Sequence, residues 1–163
     1  MFYIKPIICI FITWFLIEIF IILFLRKKAY QRSDIVYFSA VNTFIMYMIA
    51  VFSLTIIHAR SGIRGINLIP FQDLISIYKH IPYDMAEGYI LNVLLFVPYG
   101  YLLPLIKKKP FLKQTVLCSF LLSLCIELLQ FLFKRGIFDI DDLICNTAGG
   151  LIGGTIIYIF RKR

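Results

Sequence analysis

The chain has 163 residues, of which 61% are hydrophobic, and it carries a formal net charge of +8. Soluble domains are closer to half apolar, so this composition excludes a water-soluble globular protein. The positive charge does not indicate a nucleic-acid partner, because the basic residues form short clusters between long apolar runs, as membrane topology requires.

The apolar runs are long enough to cross a bilayer, which takes roughly 20 helical residues. Together with their linkers they account for the whole length of the chain. The sequence therefore predicts an all-α, polytopic membrane helix bundle of about five transmembrane helices surrounded by membrane lipids. The predicted spans are Ile7–Leu25, Ile35–Ile57, Gly88–Ile106, Lys113–Phe133 and Leu143–Phe160.

The lysine and arginine residues are distributed unevenly between the two sides of this bundle. Eleven lie in the linkers 26–32 and 107–113 or at the C-terminus, and six lie in the remaining segments. By the positive-inside rule, the side with eleven faces the cytoplasm. We therefore expect the N-terminus outside and the C-terminus inside.

The first two predicted spans each contain one strongly polar residue, Glu18 and Asn42. At the helical rise, both lie roughly 10 Å from the cytoplasmic boundary. We expect a structural hydrogen bond between them. A proton path is the alternative, since intramembrane carboxylates are often functional.

The last three predicted spans place polar side chains at one depth, near the outer surface. A carboxylate inside a bilayer is unfavourable in free energy, so its presence indicates a structural or functional role. Glu127 and Gln130 share one helix face because they are three residues apart, and Asp142 and Asn146 share another because they are four apart. The predicted layer consists of Asn92, Glu127, Gln130, Asp142 and Asn146.

One interpretation of the layer is purely structural. Asp139 then caps the last helix, and Asp142 favours the positive N-terminal end of that helix. Glu127 forms a hydrogen bond with Asn146 in this interpretation.

The other interpretation is a binding or catalytic site. Glu127, Asp142 and Asp139 are its candidate catalytic residues, with Glu127 as a general acid or base. The same three carboxylates are candidate ligands for a divalent cation such as Mg²⁺ or Ca²⁺, which prefers oxygen ligands. Lys134 and Arg135, next to the layer, suit a phosphate head group. Gln130, Asn146 and Asn92 are candidate substrate-binding residues.

The linker 58–87 is long for a bundle of this size, and long loops often carry function. It contains the sequence Asn67-Leu-Ile-Pro70-Phe71, and we expect Asn67 and Phe71 to bind substrate from a loop over the site. After Pro70, apolar residues recur at the spacing of one helix face, which predicts a short helix on the membrane surface, with a plain loop as the alternative.

The last span contains two overlapping GxxxG pairs, Gly149/Gly153 and Gly150/Gly154. Small residues at this spacing allow a neighbouring helix to approach closely. We expect that neighbour to belong to the same bundle.

The chain contains NLIPF at 67–71, NVLLFVPYG at 92–100, ELLQF at 127–131, Gly136, DIDD at 139–142 and NTAGG at 146–150. Taken together, these motifs resemble the VanZ-like family of bacterial membrane proteins over about residues 45–160, and the resemblance implies a location in the bacterial cell membrane. The resemblance implies a multi-pass membrane protein that contributes to teicoplanin resistance or a related cell-envelope function, with a lipoglycopeptide or an envelope lipid as partner. Residues 1–34 are then an additional N-terminal transmembrane helix with a basic cytoplasmic linker, and residues 35–163 are the VanZ-like membrane domain.

Three classes of function remain open at this point. A binding or shielding protein is favoured. A membrane-embedded hydrolase or transferase that acts on an envelope lipid is the alternative. A transporter is the third class. It would place polar residues at the midplane and show internal repeats, and the sequence shows neither.

Overall fold

The computed structural model describes residues 4–28, 30–57, 62–71, 83–107 and 111–162. A π-helical turn, Ser53–Ile57, continues the second helix directly. The described elements, in chain order, are α1 (Ile4–Lys27), α2 (Arg32–Phe52), β1 (Ile63–Asn67), α3 (Tyr83–Ile106), α4 (Leu112–Leu132), β2 (Arg135–Asp139) and α5 (Ile140–Lys162).

The prediction of an all-α polytopic bundle is confirmed. Helix α1 forms where the first span was predicted, and its membrane crossing stays a prediction. Helix α5 begins three residues earlier than the sequence analysis placed its span. In the described part of the chain, four helical segments are long and apolar enough to cross a membrane: Arg32–Ile56, Gly88–Ile106, Leu112–Leu132 and Ile140–Phe160.

The chain divides into two compact units, Met1–Met46 and Tyr47–Arg163. In the first unit, the side-chain amide of Asn42 donates a hydrogen bond to the carboxylate of Glu18. This bond, predicted from the equal depth of the two residues, is confirmed.

In the second unit, α5 packs against α3 through two of its glycines. A Cβ atom at Gly149 would collide with the main-chain carbonyl of Val93, and one at Gly153 with that of Val97. Gly153 follows Gly149 by four residues on α5, and Val97 follows Val93 by four residues on α3. The two helices therefore run parallel. The missing side chains let the two backbones touch, which is the usual basis of close helix packing in membranes.

The other two glycines of α5 face α4. A Cβ atom at Gly150 would collide with the side chain of Ser119, and one at Gly154 would lie 3.1 Å from Cγ2 of Thr115. The later glycine on α5, Gly154, meets the earlier residue on α4, Thr115, so α4 and α5 are antiparallel. The prediction that the GxxxG pairs pack within the bundle is confirmed, with one pair for each neighbouring helix.

The two strands form a parallel pair that the sequence analysis did not predict. β1 aligns with β2 from Ile63 opposite Arg135 to Asn67 opposite Asp139. This pairing brings the C-terminal end of β1 next to the junction between β2 and α5.

The short helix predicted after Pro70 lies mostly outside the described residues, at 72–80. Phe71, its first residue in the prediction, has a φ angle of 56°. This left-handed conformation is uncommon for a bulky side chain and is not helical.

Candidate functional site

The predicted polar residues meet where the two strands end and α5 begins. Asn67 is the last residue of β1, and Asp139 is the last residue of β2. The side-chain amide of Asn67 donates to both carboxylate oxygens of Asp139, at 3.3 Å each. Because carboxyl ends of parallel strands meet at one edge of a sheet, strand pairing brings the linker residue Asn67 to the acidic segment.

Asp139 also organises the helices on either side of it. Its Oδ1 accepts a hydrogen bond from the main-chain N–H of Asp141 at 2.9 Å, which is the geometry of a helix N-cap. Its own N–H donates to Oε2 of Glu127 at 3.0 Å, which connects α4 to the start of α5. The predicted capping role of Asp139 is therefore confirmed.

Asp141 is a residue that the sequence analysis did not select. Its side chain is only 2% exposed. Its Oδ1 accepts a hydrogen bond from the main-chain N–H of Phe71 at 2.8 Å, and its Oδ2 accepts one from the Tyr89 hydroxyl at 2.9 Å. In the sequence, Asp141 lies between two acids at a helix start, a place where a solvent-exposed carboxylate is common, so only its long-range partners identify it.

Asp142 points toward α3 and α4. It accepts a hydrogen bond from the side-chain amide of Asn92. Its carboxyl group also lies within hydrogen-bonding reach of that of Glu127, which is 2% exposed. The structure thus brings Asn92, Glu127 and Asp142 together, as equal depth predicted.

Asn146 lies one helical turn deeper than Asp142. Its amide donates to Oγ of Ser123 at 2.9 Å, and Ser123 lies one turn before Glu127 on α4. The Glu127–Asn146 hydrogen bond of the structural interpretation is therefore wrong, because the amide of Asn146 donates to Ser123 instead. Its other amide atom, Oδ1, is buried without a hydrogen-bond partner.

From the Glu127–Asp142 pair inward, a regular row of residues on α4 faces a regular row on α5. Each row has a period of four, so each side chain meets its counterpart one turn further along the antiparallel helices. The pairs are Glu127 with Asp142, Ser123 with Asn146, Ser119 with Gly150, and Thr115 with Gly154.

Gln130 has a different partner from the acidic residues. Its side-chain amide donates to the main-chain carbonyl of Thr55 at 2.9 Å. Thr55 lies in the π-helical turn that ends α2, where main-chain carbonyls lack their usual helical partners. Gln130 therefore ties this turn to α4, beside the acidic cluster. We call that cluster the acidic layer; its members are Asn92, Glu127, Asp139, Asp141, Asp142 and Asn146.

The expected divalent-cation site stays a prediction. Among the described residues, no group of three or more histidine, cysteine, aspartate or glutamate side chains is placed to hold a metal ion. The carboxylate of Asp139 is instead engaged by Asn67 and by the N–H of Asp141.

The inner residues of the acidic layer are buried, and the residues at its rim are more accessible. Glu127, Asp141 and Asn146 are buried, whereas Asp139 and Asp142 are half-buried. Carboxylate oxygens accept hydrogen bonds, so the rim can bind groups that carry hydroxyl, amide or ammonium donors.

The fold and this polar layer define a polytopic integral membrane protein with a carboxylate and amide cluster at one end of its helices. The chain belongs to the VanZ/LLP1 family, whose profile matches residues 44–161. It is 36% identical over 90 residues to Protein VanZ of Enterococcus faecium, which covers 55% of this chain and 50% of that protein. The chain thus spans about half the length of this curated relative. No solved structure matches it.

Proposed function

We propose that the protein acts on the cell envelope from a bacterial cell membrane and lowers susceptibility to teicoplanin or a related lipoglycopeptide. Its working site is the acidic and amide layer, which faces outward. Membership of the VanZ/LLP1 family and the similarity to Protein VanZ support this proposal.

The main structural support is the attachment of the segment Asn67–Phe71 to the layer at both ends. Asp139 holds the side chain of Asn67, and Asp141 holds the main chain of Phe71. Leu68 and Ile69, between these attachments, are exposed. An apolar loop beside a row of acceptors suits a ligand with both an acyl chain and polar donors, and a lipoglycopeptide has both.

The outward orientation rests on charge. The basic residues are concentrated at the opposite ends of the helices, in linkers 26–32 and 107–113 and at the C-terminus. The positive-inside rule assigns those ends to the cytoplasm, which puts the layer in the outer leaflet.

The proposal is tested by growth inhibition in a susceptible Gram-positive strain. Cells that express the chain are compared with cells that carry the empty vector, with teicoplanin and vancomycin measured in parallel and membrane levels checked. We expect a several-fold higher inhibitory concentration for teicoplanin and little change for vancomycin, which lacks the acyl chain. Equal teicoplanin values in the two strains would refute the resistance role.

The Glu127–Asp142 pair favours a second function, that of a membrane-embedded hydrolase or transferase acting on an envelope lipid. Two carboxyl groups within hydrogen-bonding reach can pass a proton between them and a substrate, as general acid–base catalysis requires. Mass spectrometry of envelope lipids incubated with the purified protein tests this function. A product that forms with wild type and is absent with Glu127→Gln would establish it.

A further inference from the structure

Basic residues gather at the amino ends of the two strands, at the edge opposite to the acidic layer. The main-chain N–H of Gly62 donates to the carbonyl of Lys134 at 2.9 Å, and Ile63 aligns with Arg135. Arg64 follows one residue later in β1. Parallel pairing therefore places cations from two distant segments at one edge, just as it places Asn67 and Asp139 at the other.

Arg64 lies on the face of the strand pair that looks toward α4. Its guanidinium is 4.2 Å from the centre of the Phe131 ring. Gly136, the partner of Arg64 in the register, also faces α4, because a Cβ atom there would lie 3.6 Å from Cβ of Gln130. Arg135 alternates to the other face and is engaged by another group. Among the described residues at this end of the strands, the exposed cations are thus Arg64, beside Phe131, and Lys134.

Lys134 lies at the boundary of a membrane span. The span ends at Leu132, and the side chains of Leu132 and Phe133 are 67% and 63% exposed. Side chains so exposed at the end of a span contact lipid, and cationic side chains that follow them lie at the depth of the lipid head groups. Lys134 has a φ angle of 56°, the left-handed conformation in which helices often end and which glycine adopts most easily.

We propose that Arg64 and Lys134 bind the phosphate of an anionic phospholipid whose acyl chains lie along Leu132 and Phe133. The ring of Phe131 orients the Arg64 guanidinium, and the turn after α4 brings the main chain of Lys134 opposite Gly62, two residues before Arg64. The two cations are complementary to one phosphodiester, and the exposed apolar pair below them is complementary to its chains. This site is separate from the acidic layer and does not depend on the resistance role.

The test measures lipid selectivity of the full chain reconstituted in bilayers. Spin-labelled phosphatidylglycerol and phosphatidylcholine report, by electron paramagnetic resonance, the fraction of each lipid held at the protein surface. We expect wild type to prefer phosphatidylglycerol. Each of Arg64→Gln and Lys134→Gly lowers that preference by up to about fivefold, the contribution of one cation near an anionic surface, and the double variant lowers it further than either single variant.

Lys113→Gln is the matched control, since it removes an exposed cation at the other end of α4. Lys134→Gly also guards against misfolding, because glycine suits the left-handed position. An unchanged preference in both site variants, or an equal loss in Lys113→Gln, would overturn the proposal. Displacement of the lipid by inorganic phosphate, beyond the effect of chloride at equal ionic strength, would instead identify a free-phosphate site and would also overturn it.

Discussion

The side-chain amide of Asn67 donates to both carboxylate oxygens of Asp139, a residue 72 positions later in the chain. The two residues end the two parallel strands. Asp139 also caps α5, and its N–H bonds to Glu127 on α4. Asp139 thus joins the long linker to two membrane helices.

We expect Asp139→Ala to lower the free energy of unfolding by about 1–2 kcal/mol, through loss of the N-cap and of the bond to Asn67. Asp139→Asn is the matched control, because asparagine caps a helix about as well as aspartate. Thermal unfolding in detergent, followed by circular dichroism, measures both. Equal unfolding temperatures for the alanine and asparagine variants would contradict the capping role.

Asp141→Ala should loosen the segment that ends at Phe71. The N–H of Phe71 then loses its bond to a carboxylate, a bond of the class that contributes about 1.5–3 kcal/mol. We expect its amide hydrogen to exchange about tenfold faster or more. Tyr89→Phe removes a different bond to the same carboxylate, so it should have a smaller effect at Phe71. Hydrogen exchange of this segment that is unchanged in Asp141→Ala would refute the attachment.

Gly149→Ala should destabilise the bundle by about 1–3 kcal/mol, because the added methyl group meets the carbonyl of Val93 and the backbone must shift. Gly88→Ala in α3 is the control, since nothing lies within 4 Å of a Cβ atom there. That change should leave stability unchanged or raise it, because alanine favours a helix by up to about 1 kcal/mol over glycine. Equal effects in unfolding experiments would contradict the packing of α5 against α3.

The orientation can be tested by cysteine labelling in intact cells. With the native cysteines replaced, we expect Ile66→Cys in β1 to react with a membrane-impermeant maleimide. We expect Lys107→Cys, in the basic linker after α3, to react only after the cells are opened. The reverse pattern would place the acidic layer on the cytoplasmic side and would remove the basis for an outward-facing site.

Features that follow from helical period and depth were predicted correctly from the sequence. The Glu18–Asn42 bond and the packing of the glycines within the bundle depend only on spacing along helices that the apolar runs already define. The division of the glycines between two neighbouring helices was not predicted. The same reasoning put Asn92, Glu127 and Asp142 together. Rise per residue is nearly constant in a helix, so depth can be counted from a boundary.

Features that depend on pairing between distant segments were not predictable in this way. β1 and β2 are five residues each, and β1 pairs with a segment about 70 residues away, so no local pattern marks either strand. Asp141 was missed for the same reason, because its partners Phe71 and Tyr89 come from elsewhere in the chain. Spacing in the sequence also does not separate carboxylates that accept internal hydrogen bonds from carboxylates that bind a metal, so the expected cation site stays a prediction.

The most direct test of the central claim is the teicoplanin susceptibility conferred by two matched variants. Glu127→Gln and Glu18→Gln each neutralise one carboxylate inside a predicted span, but only Glu127 belongs to the acidic layer. At equal membrane levels, we expect Glu127→Gln to return the inhibitory concentration to that of the empty vector and Glu18→Gln to retain the wild-type value. Wild-type resistance in Glu127→Gln, or an equal loss in both variants, would contradict the assignment of the activity to the acidic layer.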